Sequence, residues 1–202
     1  YANGVMTVNK AVLNVVADNK NRSYGTANPA FTYTVNGFVN GQTLATSGVT
    51  GTPVITTTAT ASSSAGTTYP ITPEQGTLTA TNYSFNYVNG TLTVGKVNLV
   101  VTAENKSRAY GATNPVFTAT YSGFVNNETL ATSGISGSPS MTTLANEQSA
   151  VGTYDINITA GTLSSSNYSF TVVGGKLAVT KAVIIVTADD KNKIYGQANP
   201  AL

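Results

Sequence analysis

An internal repeat is the feature that most limits how this chain can fold. The dipeptide Tyr24-Gly25 recurs as Tyr110-Gly111 and Tyr195-Gly196, so the spacings are 86 (110 − 24) and 85 (195 − 110) residues. The run NYSF at 82–85 recurs at 167–170. A period of this length exceeds the roughly 20–50 residues of solenoid repeats. Each repeat is long enough to be a small domain with its own core.

The repeat divides the chain into two complete units and two partial ones. We assign the complete units to residues 11–96 and 97–181. Residues 1–10 match 87–96 and are predicted to be the closing strand of a preceding unit. Residues 182–202 match the start of a unit and are predicted to be the opening segment of a following one. We therefore expect the natural array to be longer.

The composition excludes several function classes. Hydrophobic residues make up 41% of the chain but charged residues only 9%, against about 25% in a typical globular protein. With no Cys and no His, the chain has no disulfides, no thiolate nucleophile, no His-based triad and none of the usual zinc ligand sets. The net charge of +2 comes without a basic cluster, and no apolar run reaches the roughly 20 residues of a membrane span. We therefore expect no cofactor, no nucleic-acid partner and no membrane insertion.

Each unit opens with a strand pattern. Leu13, Val15 and Ala17 alternate with variable residues, which is typical of a half-buried strand. The segment 24–29 has the Gly, Asn and Pro of a turn. Residues 42–47 are the only helix candidate, as one short helical turn.

The remainder of the unit also predicts strands. VITTT at 54–58, followed by 69–72 and 76–79, reads as short strands. Residues 83–94 read as a hairpin whose Asn89-Gly90 would form a type I′ turn. The fold class is thus mostly β, as small tandem domains, and the pattern leaves a β-grasp-like fold and an Ig-like sandwich open. Because TLTV-GK-VNLVV contains no linker, we expect an extended, stiff rod.

The order of these motifs resembles a known family. A strand ending in ADNK, then Tyr-Gly, Asn-Pro, GFVN, Gly-Thr-Tyr, Asn-Tyr and a closing VNGTLTV resembles the bacterial MBG repeat of the YGX type. The second unit departs only in its last turn, where Gly174-Gly175 replaces Asn89-Gly90 and still suits a hairpin. The resemblance implies a β-grasp-like or other small β-rich domain with one short helix, in large secreted or surface-anchored adhesin-like proteins. It implies no catalytic residue.

The acidic residues do not predict a catalytic or metal site. A glycosidase needs two converging carboxylates and Ca²⁺ needs several oxygens close together, whereas these acids fall on separate predicted turns and strands. They are Asp18, Glu74, Glu104, Glu128, Glu147, Asp155, Asp189 and Asp190. We therefore predict that the chain is not an enzyme.

The recurring aromatic residues are predicted to be structural. For Tyr24-Gly25 we expect a glycine with positive φ, a packed ring and a hydroxyl bonded to backbone. Core positions are predicted for Phe31, Phe38, Tyr83, Phe85, Phe117, Phe124, Tyr168 and Phe170. Tyr33, Tyr87 and Tyr121 are not shared between the copies and are predicted to be exposed, where they could contact a sugar.

Two further motifs receive a plain interpretation. Lys10, Lys96 and Lys181 close the units and could form isopeptide bonds, but no acid is placed beside them, so they read as charged gatekeepers against edge pairing. Asn-x-Ser/Thr sequons are interpreted as accidental in so Asn-rich a chain; they lie at Asn21, Asn82, Asn89, Asn105, Asn127, Asn157 and Asn167.

The expected function is structural. We predict non-catalytic stalk or spacer repeats of a bacterial extracellular or cell-surface adhesin, contacting neighbouring repeats of the same chain. The alternative is a weak, multivalent module that binds a host or environmental glycan or protein. The complementary half-units at 1–10 and 182–202 also predict head-to-tail association through terminal strands.

Overall fold

The computed structural model describes residues 3–201, which form two successive all-β units with no helix in that range. The first unit contains β1 (Ala11–Ala17), β2 (Lys20–Ser23), β3 (Tyr33–Asn36), β4 (Val54–Thr56), β5 (Thr68–Glu74), β6 (Tyr83–Val88) and β7 (Gly90–Gly95). The second contains β8 (Val97–Ala103), β9 (Lys106–Ala109), β10 (Ala119–Ser122), β11 (Ser140–Thr142), β12 (Gly152–Thr159), β13 (Tyr168–Val173) and β14 (Gly175–Thr180). The prediction of tandem β-rich domains is confirmed.

The opening strand has the predicted alternation. Leu13 and Val15 are fully buried and Ala17 nearly so, whereas Val12, just before Leu13 and on the opposite face, is 56% exposed. The side chains of successive strand residues point to opposite faces, so one face of β1 enters the core and the other meets solvent.

Each unit is a pair of sheets. In the first unit one sheet has the order β3-β1-β6 and the other β2-β7-β5-β4, and the second unit repeats both as β10-β8-β13 and β11-β12-β14-β9. Ala17, Ile71 and Leu92 from the two sheets meet in one buried cluster, against which Phe31 and Ile55 pack. Of the two folds left open, the sandwich agrees with this two-layer core.

The short helical turn expected at 42–47 is not formed as a helix. The segment consists of turns, in which the Thr43 N–H donates to Thr46 Oγ1 at 2.8 Å. Gly48 follows with φ of +72°. Threonine hydroxyls that bond nearby backbone compete with helical hydrogen bonds, and a left-handed glycine ends any helical path.

Two parallel ribbons run the length of each unit. β1 pairs parallel with β6, with Ala11 beside Tyr83. β2 pairs parallel with β7, with Ser23 beside Gly95. The chain therefore enters a unit at one end, next to Tyr83, and leaves it at the opposite end, next to Ser23.

The predicted closing hairpin is wrong, in both units. β6 and β7 lie in different sheets, as do β13 and β14. Neither Gly90 nor Gly175 has the positive φ that a type I′ turn requires. A Cβ on Gly90 would lie 2.4 Å from the Ala17 carbonyl oxygen, and one on Gly175 would lie 2.6 Å from that of Ala103. Glycine is needed here because the chain crosses between sheets against another strand.

The strand predicted at 76–79 is also absent. Gly76 adopts φ of +53°, and the Leu78 N–H donates to the Gln75 carbonyl at 2.9 Å, so the segment turns. Only Thr79 forms a bridge, to Thr50. A left-handed glycine at the second turn residue outweighs the β-branched threonines that suggested a strand.

The terminal segments do not form the strands predicted for 1–10 and 182–202. Residues 3–10 and 181–201 are exposed and have no regular secondary structure apart from a turn at 195–196, and residues 1, 2 and 202 lie outside the described part of the chain. In the complete units the equivalent strands are held by partners on both sides, as β7 is by β2 and β5. Within residues 3–201 no equivalent partners flank either segment.

Candidate functional site: the joint between the units

The contact between the two units is a buried cluster in its own right. Tyr24, Ala65 and Val94 from the first unit meet Leu99 and Tyr168 from the second, and all five are buried. Lys96 is the single residue between β7 and β8. Covalent continuity and a shared apolar cluster thus hold the units together.

The first unit contributes Tyr24 and Gly25, which follow β2. The Tyr24 N–H donates to the Gly95 carbonyl at 2.9 Å, and the Gly25 N–H donates to that of Ala61 at 3.1 Å. Gly25 has φ of +80°. We call Tyr24-Gly25, and its equivalent Tyr110-Gly111 in the second unit, the exit turn.

The second unit contributes an aromatic surface around Tyr168. The Tyr24 ring meets the Tyr168 ring edge to face, with centroids 5.8 Å apart and planes at 81°. Phe124 meets Tyr168 in the same way at 5.8 Å and 78°. We call this surface the entry face; in the second unit it comprises Phe124, Val125, Glu128, Asn167 and Tyr168, and in the first Phe38, Val39, Gln42, Asn82 and Tyr83.

Glu128 binds both tyrosines through one carboxylate. The Tyr24 hydroxyl donates to Oε1 at 2.5 Å and the Tyr168 hydroxyl donates to Oε2 at 2.7 Å. The Val125 N–H donates to the Tyr168 hydroxyl oxygen at 3.2 Å, and the Ala65 N–H donates to Asn167 Oδ1 at 3.0 Å. Hydrogen bonds to an ionised acceptor are stronger than neutral ones, so Glu128 supplies the main polar link across the joint.

The joint holds both phenols in their neutral, donating form. Burial raises the pKa of Tyr168 to about 12, and the hydrogen bond and charge of Glu128 act in the same direction. The pKa of Tyr24 is raised too, first by burial and then by Glu128. A neutral phenol can donate to the carboxylate, whereas a phenolate beside it would repel it.

Gly25 is required by the joint as well as by the turn. A Cβ at this position would lie 2.4 Å from Val125 Cγ2 of the second unit. The equivalent Gly111 has φ of +82° but no atom within 4 Å of such a Cβ. The recurring Tyr-Gly pair therefore serves contact between units, and the sequence-based interpretation located it only in a turn.

The sequence reasoning missed Glu128 and assigned the wrong partner to Tyr24. The tyrosine ring packs as predicted, but its hydroxyl bonds the Glu128 carboxylate rather than backbone. From the sequence alone, Glu128 is one of the acids that fall on separate turns and strands. At the equivalent position of the first unit Gln42 likewise accepts a hydrogen bond from Tyr83, at 2.5 Å, but because the sequence has glutamate in one copy and glutamine in the other, it offers no signal for this role.

Two of the other acids, Asp18 and Glu104, make contacts within their own units. Asp18 accepts a hydrogen bond from Thr32 at 2.5 Å. Glu104 is bonded by Thr118 and lies 3.0 Å from Lys106 Nζ, and these two contacts, in that order, lower the pKa of its carboxyl. Across residues 3–201 no three His, Cys, Asp or Glu side chains come together as a metal site, and no helix could span a membrane.

The recurring asparagine before proline has a structural role. Arg108 is only 6% exposed, and its Nε donates to Asn114 Oδ1 at 2.7 Å. The same guanidinium bonds the carbonyls of Ala109, at 3.1 Å, and Asn146, while the Asn114 amide donates to the Ala145 carbonyl at 2.7 Å. Arg22 and Asn28 repeat the arrangement at 2.8 Å. This pair ties the segment after the exit turn to the loop before β5 or β12.

The lysines that close the units bond backbone. Lys10 Nζ donates to the Ala80 carbonyl at 2.9 Å, and Lys96 Nζ to the equivalent Ser165 carbonyl at 2.8 Å. Each ammonium thus anchors the chain to the loop that leads into β6 or β13.

The prediction that the unshared tyrosines are exposed is wrong. Tyr33, Tyr87 and Tyr121 are all partly buried. Burial raises the pKa of Tyr87 and of Tyr121. Tyr121 packs against the core of its own unit and against the joint.

A family model described as MBG domain (YGX type) matches this chain twice, at residues 13–93 and 99–178. The two matches fall on the two β units. No curated protein of similar sequence was found.

Proposed function

The chain belongs to the family of MBG domains of the YGX type, and from this membership we propose that its units are non-catalytic spacers in the stalk of a bacterial extracellular or cell-surface adhesin. The family's repeats support the surface setting, and the absence of cysteine suits an exported protein whose domains fold without disulfides.

The observation that carries the spacer role is the path of the chain through a unit. Ala11 lies beside Tyr83 at one end, and Gly95 lies beside Ser23 at the other. Entry and exit at opposite ends make each unit add its full length to an array.

The joint supports the same role. One residue separates β7 from β8, and the exit turn of the first unit is enclosed by the entry face of the second. A short connection with buried aromatic contacts and a shared carboxylate resists bending, whereas flexible linkers are rich in exposed Gly and Ser.

The test is the distance between the units in solution. Because the chain has no cysteine, Thr56→Cys and Thr142→Cys place one spin label at an exposed, equivalent position in each unit. We expect double electron–electron resonance to give a single narrow distribution of distances between the two labels. Small-angle scattering should show an elongated particle.

The control removes the joint. Tyr24→Ala with Glu128→Ala, in the labelled chain, is expected to broaden the distribution while both units stay folded. A broad distribution in the parent chain, or a compact pair, would contradict the spacer proposal. Antibody labelling of intact producing cells tests the surface location, and units found only inside the cell would refute that part.

A further inference from the structure

The joint places two tyrosine rings from different units in contact. The rings of Tyr24 and Tyr168 meet edge to face with centroids 5.8 Å apart, and both side chains are buried. Among the close aromatic pairs of residues 3–201, this is the one in which both rings are phenols. Two phenols held in contact are the starting arrangement for a carbon–carbon bond between their rings.

The hydroxyls of the two tyrosines converge on one proton acceptor. The Tyr24 hydroxyl donates to Glu128 Oε1 at 2.5 Å, and the Tyr168 hydroxyl donates to Oε2 at 2.7 Å. The ring carbons ortho to the two hydroxyls therefore lie near the same carboxylate. A base within hydrogen-bond distance can take a proton as the bond to it breaks, so Glu128 is positioned to deprotonate either phenol as it loses an electron.

Burial makes such an acceptor necessary. Burial raises the pKa of Tyr168 to about 12, and the pKa of Tyr24 is raised as well. At neutral pH neither residue is a phenolate, so the phenol proton must leave together with the electron. Glu128 is only half-buried and can release that proton to solvent.

An oxidant need not enter the joint. Tyr69 of the first unit and Tyr121 of the second pack against the same buried cluster, and both are partly exposed. An electron taken from either at the surface can be replaced from the tyrosines of the joint, because the side chains are packed together.

We propose that the joint is a site of oxidative cross-linking, at which a one-electron oxidant joins Tyr24 of one unit to Tyr168 of the next through an ortho carbon of each ring, with Glu128 as the acceptor of their protons. The occurrence of both tyrosines in the repeat extends the site to other joints, since Tyr24 recurs as Tyr110 and Tyr195, and Tyr168 as Tyr83.

The reaction removes two electrons and two protons. Each phenol gives one electron to the oxidant and its hydroxyl proton to Glu128, which passes the first proton to solvent before it takes the second. An oxidised ring no longer donates to the carboxylate, so it is free to rotate out of the edge-to-face arrangement. The two radicals then form one carbon–carbon bond, and the hydrogen on each bonded ortho carbon moves to its own oxygen to restore the phenol.

The product is a covalent bridge between units in a chain that has no cysteine for a disulfide. The proposal does not depend on the spacer role, since it concerns only the reactivity of the joint.

The test is photo-oxidation of the chain at low concentration, with ruthenium tris-bipyridine as the one-electron oxidant and persulfate as the final electron acceptor. We expect dityrosine fluorescence from a monomer that is two hydrogens lighter. Peptide mapping should give a linked pair of peptides containing Tyr24 and Tyr168. The same treatment in concentrated urea should lose the preference for this pair.

Conservative variants separate the link from the fold. Tyr24→Phe and Tyr168→Phe each keep the packed ring but remove one phenol, so each should abolish the mapped link. The matched controls are Tyr110→Phe and Tyr83→Phe, which remove the equivalent phenols outside this joint and should leave the 24–168 link at the parent yield.

Glu128→Gln tests the proton acceptor. Glutamine keeps an acceptor oxygen, as Gln42 does for Tyr83, but cannot hold the proton. We expect the initial rate of link formation to fall by about tenfold or more at a temperature where spin-label distances show the joint intact. A merely structural role for Glu128 would leave that rate unchanged.

Three results would overturn the proposal. They are links that map only to other tyrosines, a 24–168 link that forms equally well in the urea-unfolded chain, and a Glu128→Gln variant that reacts at the parent rate.

Discussion

The phenol of Tyr24 in the first unit and the carboxylate of Glu128 in the second are joined by a hydrogen bond of 2.5 Å that spans 104 residues of sequence. The same carboxylate binds Tyr168 within its own unit at 2.7 Å. The joint is therefore coupled to the core of the second unit, and its energetics can be measured by substitutions at a few positions.

Tyr24→Ala should weaken the joint far more than Tyr110→Ala. Truncating a buried aromatic residue costs about 3–5 kcal/mol, whereas a half-exposed one with no comparable enclosure should cost about 1 kcal/mol or less. Calorimetric unfolding is the measurement. In Tyr24→Ala the two units should also unfold in separate transitions instead of one. Equal losses for the two tyrosines would mean that the joint adds no stability.

Glu128→Ala should destabilise the joint by about 1–3 kcal/mol because two buried phenols lose their acceptor. The stability of the Glu128→Gln variant should lie between those of Glu128→Ala and the parent chain. One amide oxygen remains as an acceptor, as Gln42 provides for Tyr83. Denaturant titration of the three proteins gives the order. A Glu128→Gln variant less stable than Glu128→Ala would contradict this account of the contact.

The joint should lose stability in alkali. An unfolded tyrosine titrates near pH 10, while the pKa of folded Tyr168 is raised to about 12 and that of Tyr24 is raised also. Because the folded pKa is higher than the unfolded one, the neutral phenols stabilise the folded state fully below about pH 10. This stabilisation is lost as the pH rises from about 10 to about 12. Melting temperature against pH, with tyrosinate absorbance alongside, measures the loss. Tyr24→Phe with Tyr168→Phe should flatten the curve, and an unchanged curve would contradict the assignment.

Gly25→Ala and Gly111→Ala form a matched pair that isolates the contact with Val125. Both place alanine at positive φ, a strain of about 1–3 kcal/mol. Only Gly25→Ala also brings a Cβ to 2.4 Å from Val125 Cγ2. We expect Gly25→Ala to be the more destabilising in urea unfolding. The difference should shrink in a Val125→Ala background, and it should persist there if the collision is not its cause.

Arg108→Met should destabilise the second unit without loosening the joint. The guanidinium bonds Asn114 and the carbonyls of Ala109 and Asn146, and hydrogen bonds to charged groups contribute about 1.5–3 kcal/mol each. Unfolding of the second unit, followed by hydrogen exchange in β12 and β14, is the readout. Narrow spin-label distances should survive at temperatures where the variant is folded.

Much of the unit could be inferred from its alternating residues. Leu13, Val15 and Ala17, which line the core, could be assigned to it from the sequence. A period of two with one apolar face has few interpretations other than a half-buried strand. The closing segment could not be inferred in the same way. Asn89-Gly90 has the composition of a tight turn, but Gly90 is there because the Ala17 carbonyl leaves no room for a Cβ, which is a contact distant in sequence.

The contact between the units could not be predicted from local sequence pattern either. Recurrence draws attention to Tyr24-Gly25, but it does not distinguish a residue that serves its own unit from one that contacts the neighbouring unit. Glu128 carried no pattern of its own, since the equivalent residue is Gln42. Its role depends on a meeting of two units that local propensity does not encode.

The parallel pairing of β1 with β6 and of β2 with β7 has a mechanical consequence. When an array is stretched, the force enters a unit at the start of β1 and leaves it at the end of β7. The two paired strands of each ribbon are then pulled in opposite directions along their length. The hydrogen bonds between them then bear the load in shear and must break together, instead of being peeled open one at a time. Single-molecule stretching should accordingly require a high rupture force for each unit.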